Sequence, residues 1–501
     1  MKQRVKHLLG GALGSSMLLA VHPAAAQTAD QLQQQIQQLQ RQLQQLQNQV
    51  DEQARRAPPP AAPAAAAAPA GGARVTMSPA NRPGISSADG QNTIELTGRL
   101  HFDIADYLSV HPQTPTGQHS LTSGVNARRA RLGVLGKFMG DWNYAFILDF
   151  GGSSDSNVNA VSGSRSTDIE NAFISYNGFR PFAIDLGYLD VPFTLDESTS
   201  SNDIMFIERS SSNIVATGLA ATDARSALGV RWNTDRAWAG AYVTGPTAGA
   251  THTGSNQQQV GGTARATYQV LQSNRYSLHF GLDGEYVFKP RNNGSGTGAI
   301  TQGVSFSDRP ELRVDPTTFV NTGTIPAKHA IVYGPELAAG FGSFFAQGEY
   351  YRYVVDQTGL SATAPTPELT FDGGYAEASY IVTGESRKYI PTTGAYSGVR
   401  PDRPVGSGGW GAWEFAARYS YLNLNNHSTP GVSPVVTGGI FGGRQTTYVF
   451  GINWYPITNI RFMLDYIYAD VNKIPTATAV GGSTQPGARI QAIAARTQVA
   501  F

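Results

Sequence analysis

From about Asn92 to Phe501 the chain alternates between apolar and polar positions in short runs. In the first run Ile94, Leu96, Leu100, Phe102 and Ile104 share one face, while Glu95, Thr97, Arg99, His101 and Asp103 share the other. The same split sets Leu278, Phe280, Leu282, Tyr286 and Phe288 against His279, Asp283 and Glu285, and Ile460, Phe462, Leu464, Tyr466 and Tyr468 against Arg461 and Asp465. A period of two belongs to β-strands, and clusters of Gly, Asn, Asp, Ser and Thr between the runs supply the turns. A soluble sandwich also alternates. Three features favour a membrane barrel instead: an export signal, Tyr, Trp and Phe near the ends of the runs, and a terminal strand, Arg496 to Phe501. Roughly 410 residues at about 25 per strand and connection make about 16 strands, enough to leave an aqueous lumen. The expected fold class is all-β: a transmembrane antiparallel β-barrel of about 16 strands, preceded by a short α-helical coiled coil.

The N-terminal segments differ in texture. Lys2, Arg4 and Lys6 precede an apolar stretch from Leu8 to Val21 and the small run Ala24-Ala25-Ala26, so residues 1–26 read as a signal peptide. Beyond them no apolar run approaches the roughly 20 residues of a spanning helix, so a membrane-spanning mature chain must close as a barrel. Leu32, Ile36, Leu39, Leu43, Leu46 and Val50, spaced 4, 3, 4, 3, 4, form the seam of a coiled coil over residues 27–56. Ile36, Leu43 and Val50 at a, with Leu at d, favour two strands. Three heptads are marginal alone, however, and an attached trimer would set the strand number by local concentration. A disordered Gln-rich tract is the alternative. Residues 57–91 open with Ala57-Pro58-Pro59-Pro60 and read as an extended Ala/Pro linker, followed by the barrel domain at 92–501.

Charge narrows the function. The formal charge of +1 becomes −2 once the signal is removed, which argues against nucleic acid as a partner. Cys is absent, which excludes Cys-based metal sites, and no Gly-x-Ser-x-Gly, His-Glu-x-x-His or Gly-x-x-x-x-Gly-Lys occurs. No enzyme activity, metal or cofactor is expected. Because a lipid-facing Arg at mid-bilayer costs roughly 2–4 kcal/mol, an Arg that alternates with apolar residues should face the interior. That parity nominates Arg99, Arg129, Arg131, Arg231, Arg265, Arg418, Arg461 and Arg496 as the lining of an anion path. Guanidinium keeps its charge and offers paired donors, and several weak sites in series pass an ion where one tight site would trap it. The competing reading pairs these arginines with Glu95, Asp103, Glu414 and Asp465 to stiffen the wall. Val191 to Arg225 is long, polar and without alternation, so it is the candidate for an inward, constricting loop with Glu208 and Arg209 near its narrowest point; an external rim shield is the alternative.

Several phrases, read in order, resemble the phosphate-selective porin O and P family. They are Arg128-Arg129-Ala130-Arg131-Leu132, Leu186-Gly187-Tyr188 with Pro192-Phe193-Thr194-Leu195-Asp196-Glu197, and Phe206-Ile207-Glu208-Arg209-Ser210. Downstream follow Ser379-Tyr380-Ile381-Val382-Thr383-Gly384-Glu385-Ser386-Arg387, Ala412-Trp413-Glu414-Phe415-Ala416-Ala417-Arg418-Tyr419-Ser420 and Gly451-Ile452-Asn453-Trp454-Tyr455-Pro456, then the C-terminal strand. The resemblance implies a trimeric 16-stranded outer-membrane porin with inward loops and an arginine-lined path for diffusion of small anions such as phosphate. Lysines, which the resemblance associates with phosphate preference, number only seven, and the segment after residue 91 holds 29 basic against 32 acidic residues. The expected partners are a homotrimer, outer-membrane lipid, small anions, and peptidoglycan through a periplasmic coiled coil. A general or carbohydrate-permeable porin is one rival, with parity putting most aromatics on the lipid side. A barrel that anchors the outer membrane to the cell wall is the other.

Overall fold

The computed structural model describes residues 72–501 apart from 116, 118, 152–166, 223, 249–257, 274, 293–301, 360, 362, 430–431 and 474–484, together with Gln38, Arg41, Gln44 and Gln45. Those four positions are helical and exposed. The signal segment, the six seam residues and the first part of the linker lie outside the described residues.

Among the described residues, sixteen strands close on themselves. In chain order they are β1 (Thr93–Pro112), β2 (Gly124–Phe138), β3 (Trp142–Asp149), β4 (Asp168–Tyr176), β5 (Phe182–Leu189), β6 (Arg225–Asn233), β7 (Ala237–Thr247) and β8 (Val260–Gln272). They continue as β9 (Tyr276–Lys289), β10 (Val320–Phe341), β11 (Phe344–Gln357), β12 (Leu369–Ile381), β13 (Ala412–Asn426), β14 (Ile440–Ile457), β15 (Ile460–Asn472) and β16 (Ala488–Ala500). Each pairs antiparallel with its neighbours, and β16 meets β1 from Ala488↔Pro112 to Ala500↔Arg99, so the barrel has no open edge. Phe501 exchanges backbone hydrogen bonds with Gly98 in both directions, which locks the seam.

The start of β1 extends past the end of β16, and its free backbone groups need partners. Pro83–Ser86 supplies them at Gly84↔Glu95 to Ser86↔Thr93, and Arg74–Met77 pairs with that strand in turn. Residues 74–86, part of the expected linker, thus form a hairpin on the barrel.

The pleat sorts the two faces. Leu100 is 43% exposed and Ile104 53%, whereas His101 and Asp103 between them are 0% and 1% exposed. This inverts the pattern of a soluble protein and leaves an oily outer belt suited to hydrocarbon. Phe138, Trp142, Tyr176 and Phe179 form a chain of ring contacts at one rim, and Trp413, Trp454 and Phe462 stack at the same rim. Connections there are tight, such as Gly342-Ser343 with Gly342 at φ 57°, except residues 382–411. That segment turns into the barrel and carries a small hairpin, Tyr389–Ile390 against Ala395–Tyr396.

The long connections lie at the other rim. Residues 190–224, between β5 and β6, enter the lumen with two short helices, α1 (Leu195–Ser198) and α2 (Ser211–Thr217). Val215, Ala216 and Leu219 pack with Val304, Phe306 and Phe319 from the β9–β10 connection and with Tyr351, Tyr353 and Phe371 of the wall. The inward aromatics of β11 and β12 therefore form a core under α2.

Candidate functional site

The segment 190–224 crosses the lumen because its backbone groups find partners of matching sign. On one side arginines donate to its carbonyls: Arg461 Nη1 to Ile204 O at 2.7 Å, Arg496 Nη1 to Ile207 O at 2.6 Å and Arg418 Nη1 to Glu208 O at 2.9 Å. On the other, carboxylates accept from its N–H groups: Glu349 from Leu195 at 2.7 Å and Asp196 at 3.1 Å, and Glu285 from Ala220 at 3.0 Å. Asp465 accepts from Ile207 at 2.8 Å. Thr194 caps α1 at φ 62°, a strained position for a branched residue, held by the Asn213 Nδ2 donation to its hydroxyl at 2.9 Å.

Glu208 and Arg209 both sit in this inward segment, and both are buried. Arg128 Nε reaches Glu208 at 2.8 Å and Arg496 Nη2 at 3.1 Å. Burial alone would push the Glu208 carboxyl up, but Arg128, Arg496, Arg129 and Arg313 hold it well below the usual carboxylate range. Arg209 binds within its own segment, to Glu197 at 3.2 Å and Thr199 O at 2.9 Å, so it shapes the loop as well as carrying charge.

A cavity of ≈ 250 Å³ lies where three elements meet. Arg99 and Arg131 line it from the wall, Asp190, Glu197 and Arg209 from the inward segment, and Thr393 from the 382–411 hairpin. Arg99 and Arg131 are direct cross-strand partners on β1 and β2. Like charges so placed repel, and compensation comes from Asp149, 2.8 Å from Arg131, and from Glu170, also paired with Arg131. Arg99 donates to Ser201 Oγ at 2.5 Å. Three arginines and two carboxylates share its lining with the hydroxyl residues Ser198, Thr199, Ser200 and Ser201, and Val191 and Pro192 add apolar surface.

The other nominated arginines have different surroundings. Arg496 grips Asp103 with two nitrogens, at 2.6 and 2.8 Å. Arg265 does the same to Glu336, at 2.9 Å twice, and also donates to Thr393 O and Gly394 O, which ties the hairpin to the wall. Arg418 pairs with Glu311 at 2.5 Å and lies over the ring of Phe206. Arg231 pairs with Asp185 at 2.9 Å, and Tyr242 donates to the same carboxylate at 2.8 Å. Arg461 donates to the carbonyls of Asn202, Ile204 and Met205 and stacks over Tyr455. Arg129 is 2% exposed, with Nε and Nη1 unpartnered among the described residues. Five of the eight, Arg131, Arg231, Arg265, Arg418 and Arg496, are thus held by carboxylates. Of the four acids named as wall partners, Asp103 pairs with Arg496, while Glu414 instead meets Arg387 at 2.8 Å and Asp465 accepts from the loop.

Sequence parity missed Arg128. A register shift between His101 and Phe102 turns Arg128 and Arg129 both inward, and no alternation rule anticipates a bulge. It also missed Glu311, Arg313 and Arg387, which reach the lumen from connections. The alternating charges of Arg309, Glu311, Arg313 and Asp315 were the available signal.

The family model described as phosphate-selective porin O and P matches residues 94–501. Porin O of Pseudomonas aeruginosa is 23% identical over 418 residues, 80% of this chain and 89% of that protein. An uncharacterised protein of Caulobacter vibrioides is 27% identical over 391 residues, 75% of this chain and 68% of its own length. Among solved structures, the anion-selective porin from Comamonas acidovorans is 12% identical with a TM-score of 0.47, covering 82% of this chain and 100% of that one.

Proposed function

Because the chain belongs to the phosphate-selective porin O and P family and forms an outer-membrane porin channel, we propose that it passes small anions, phosphate among them, through an arginine-lined lumen narrowed by residues 190–224. The observation that carries the reading is the cross-strand pair Arg99 and Arg131, which with Arg209 lines one cavity between wall and loop. At a narrow, low-dielectric passage such local charge outweighs the nearly balanced charge of the whole chain. Arg129, 2% exposed, adds buried positive charge to the same wall. The arginines tied to carboxylates hold the wall and the loop in shape, so Arg99 presents its charge from a fixed position. The proposal extends to a homotrimer, and to peptidoglycan contact by the N-terminal coiled coil from the periplasm.

Planar-bilayer recording tests it. In a KCl gradient the reversal potential takes the anion-selective sign, Arg99→Gln moves it toward zero, and added inorganic phosphate lowers the chloride current. A cation-selective sign removes the anion reading and leaves a general porin. Absence of phosphate block removes phosphate alone. Deleting residues 27–70, which spares the 74–86 hairpin, leaves conductance unchanged and abolishes cosedimentation with peptidoglycan; retained cosedimentation counts against the tether.

A further inference from the structure

Across the lumen from the arginine cavity's wall strands, β9, β10 and β11 present Asp283, Glu336 and Glu349, all buried, with one carboxylate oxygen of each within 4.8 Å of the others. Glu336 and Glu349 are direct cross-strand partners, and Asp283 lies opposite Gly334, two residues from Glu336. Gly281 faces Glu336 across the β9–β10 pair, and a Cβ there would collide with the Glu336 carboxylate, so glycine makes the room. Three like charges in this space need compensation, and it is uneven. Glu336 takes two nitrogens of Arg265 and lies 2.7 Å from His279 Nε2. Glu349 accepts from the N–H groups of Leu195 and Asp196 and from the Tyr375 hydroxyl at 2.6 Å. Asp283, 7% exposed, has no hydrogen-bond partner on either oxygen among the described residues. A buried carboxylate aimed at two others, with no donor of its own, is costly unless a positive charge or a proton meets it.

We propose that Asp283, Glu336 and Glu349 bind a hard divalent cation of the calcium class. Oxygens about 2.4 Å from a common Ca²⁺ lie at most about 4.8 Å apart, and the three carboxylate oxygens here all lie within that limit of one another. Glu336 Oε2 and Glu349 Oε1 each accept a single hydrogen bond and keep a second lone pair, and water completes the irregular six-to-eight-fold shell that Ca²⁺ accepts. One guanidinium against three carboxylates leaves the surplus negative charge that a divalent ion neutralises. Since Glu349 also grips the first turn of α1, the ion pins the inward segment from the wall opposite the arginines. The site is independent of which ion the channel passes.

The test uses the full-length chain, purified in detergent, stripped with chelator and titrated with Ca²⁺ by calorimetry, beside Asp283→Asn. The wild type takes up one Ca²⁺ per chain, and the substitution weakens that binding by at least ~100-fold, as expected for removal of a ligand. Chelator lowers the thermal midpoint of the wild type and leaves that of Asp283→Asn unchanged. Equal Ca²⁺ uptake by both proteins, as from residual lipid, overturns the site. So does a wild type that binds no Ca²⁺ and ignores chelator, since a proton on Asp283 then does the ion's work; this arm holds even where the variant fails to fold. Bilayer selectivity is read separately, so loss of this site and loss of the anion reading are distinct outcomes.

Discussion

The two sides of the lumen hold the same loop by opposite means. Around the closing seam, β1, β2, β15 and β16 bring Arg99, Arg128, Arg129, Arg131, Arg461 and Arg496 inward, and the guanidiniums of Arg128, Arg461 and Arg496 take loop carbonyls or the Glu208 carboxylate. On β9 to β12, Asp283, Glu285, Glu336, Glu349 and Glu377 face inward, and Glu349 and Glu285 take loop N–H groups. Asp103 and Asp465 on the first side and Arg265, on β8 beside the second, are minorities that temper each field. The difference teaches how an irregular segment can sit inside a barrel. Every buried backbone group needs a partner, and walls of opposite sign accept the segment in one polarity only. The same separation leaves donors facing one side of the passage.

The comparison can be broken at its strongest joint. Arg496→Met removes the partner of Asp103, one of the partners of Glu208 and a loop anchor, and leaving the buried Asp103 unpaired is expected to cost about 3–5 kcal/mol. The check is the urea midpoint of barrel unfolding in detergent; an unshifted midpoint would mean the triad contributes no net stability. Next is a buried cation outside both walls. Lys473, just past β15, makes no ion pair among the described residues, and burial lowers its pKa to about 8. The fold therefore favours neutral lysine. Below pH 8 the destabilisation is present in full, and it is relieved as pH rises toward the ordinary lysine value of 10.5. Stability should gain at most about 3 kcal/mol across that window, and Lys473→Met should flatten the profile. A smaller effect is expected on the acidic side: Glu349→Leu strands two N–H groups of α1 at a cost of about 1–3 kcal/mol, seen as raised proteolysis of residues 190–224. Equal losses from Arg496→Met and Glu349→Leu would erase the asymmetry between the walls.

The periodicity of two in β1, β9 and β15 determined by itself which residues face lipid and which face the lumen, because successive side chains on a strand point to opposite faces. The absence of alternation across residues 191–225 likewise marked them as something other than a wall, and phrases in order along 94–501 carried the family. Partnership was not legible there. Arg496 and Asp103 are 393 residues apart in sequence and meet because β16 closes on β1, while Arg387 finds Glu414 because the 382–411 connection turns inward at the tight rim. Arg128 faces inward through a one-residue shift in register. Each depends on closure, on a loop's path or on a bulge, and these are settled by long-range backbone pairing and burial, for which a local pattern carries no signal. Tertiary structure alone decided which arginines became struts and which kept free donors, since that turns on where the carboxylates and carbonyls of distant segments come to rest.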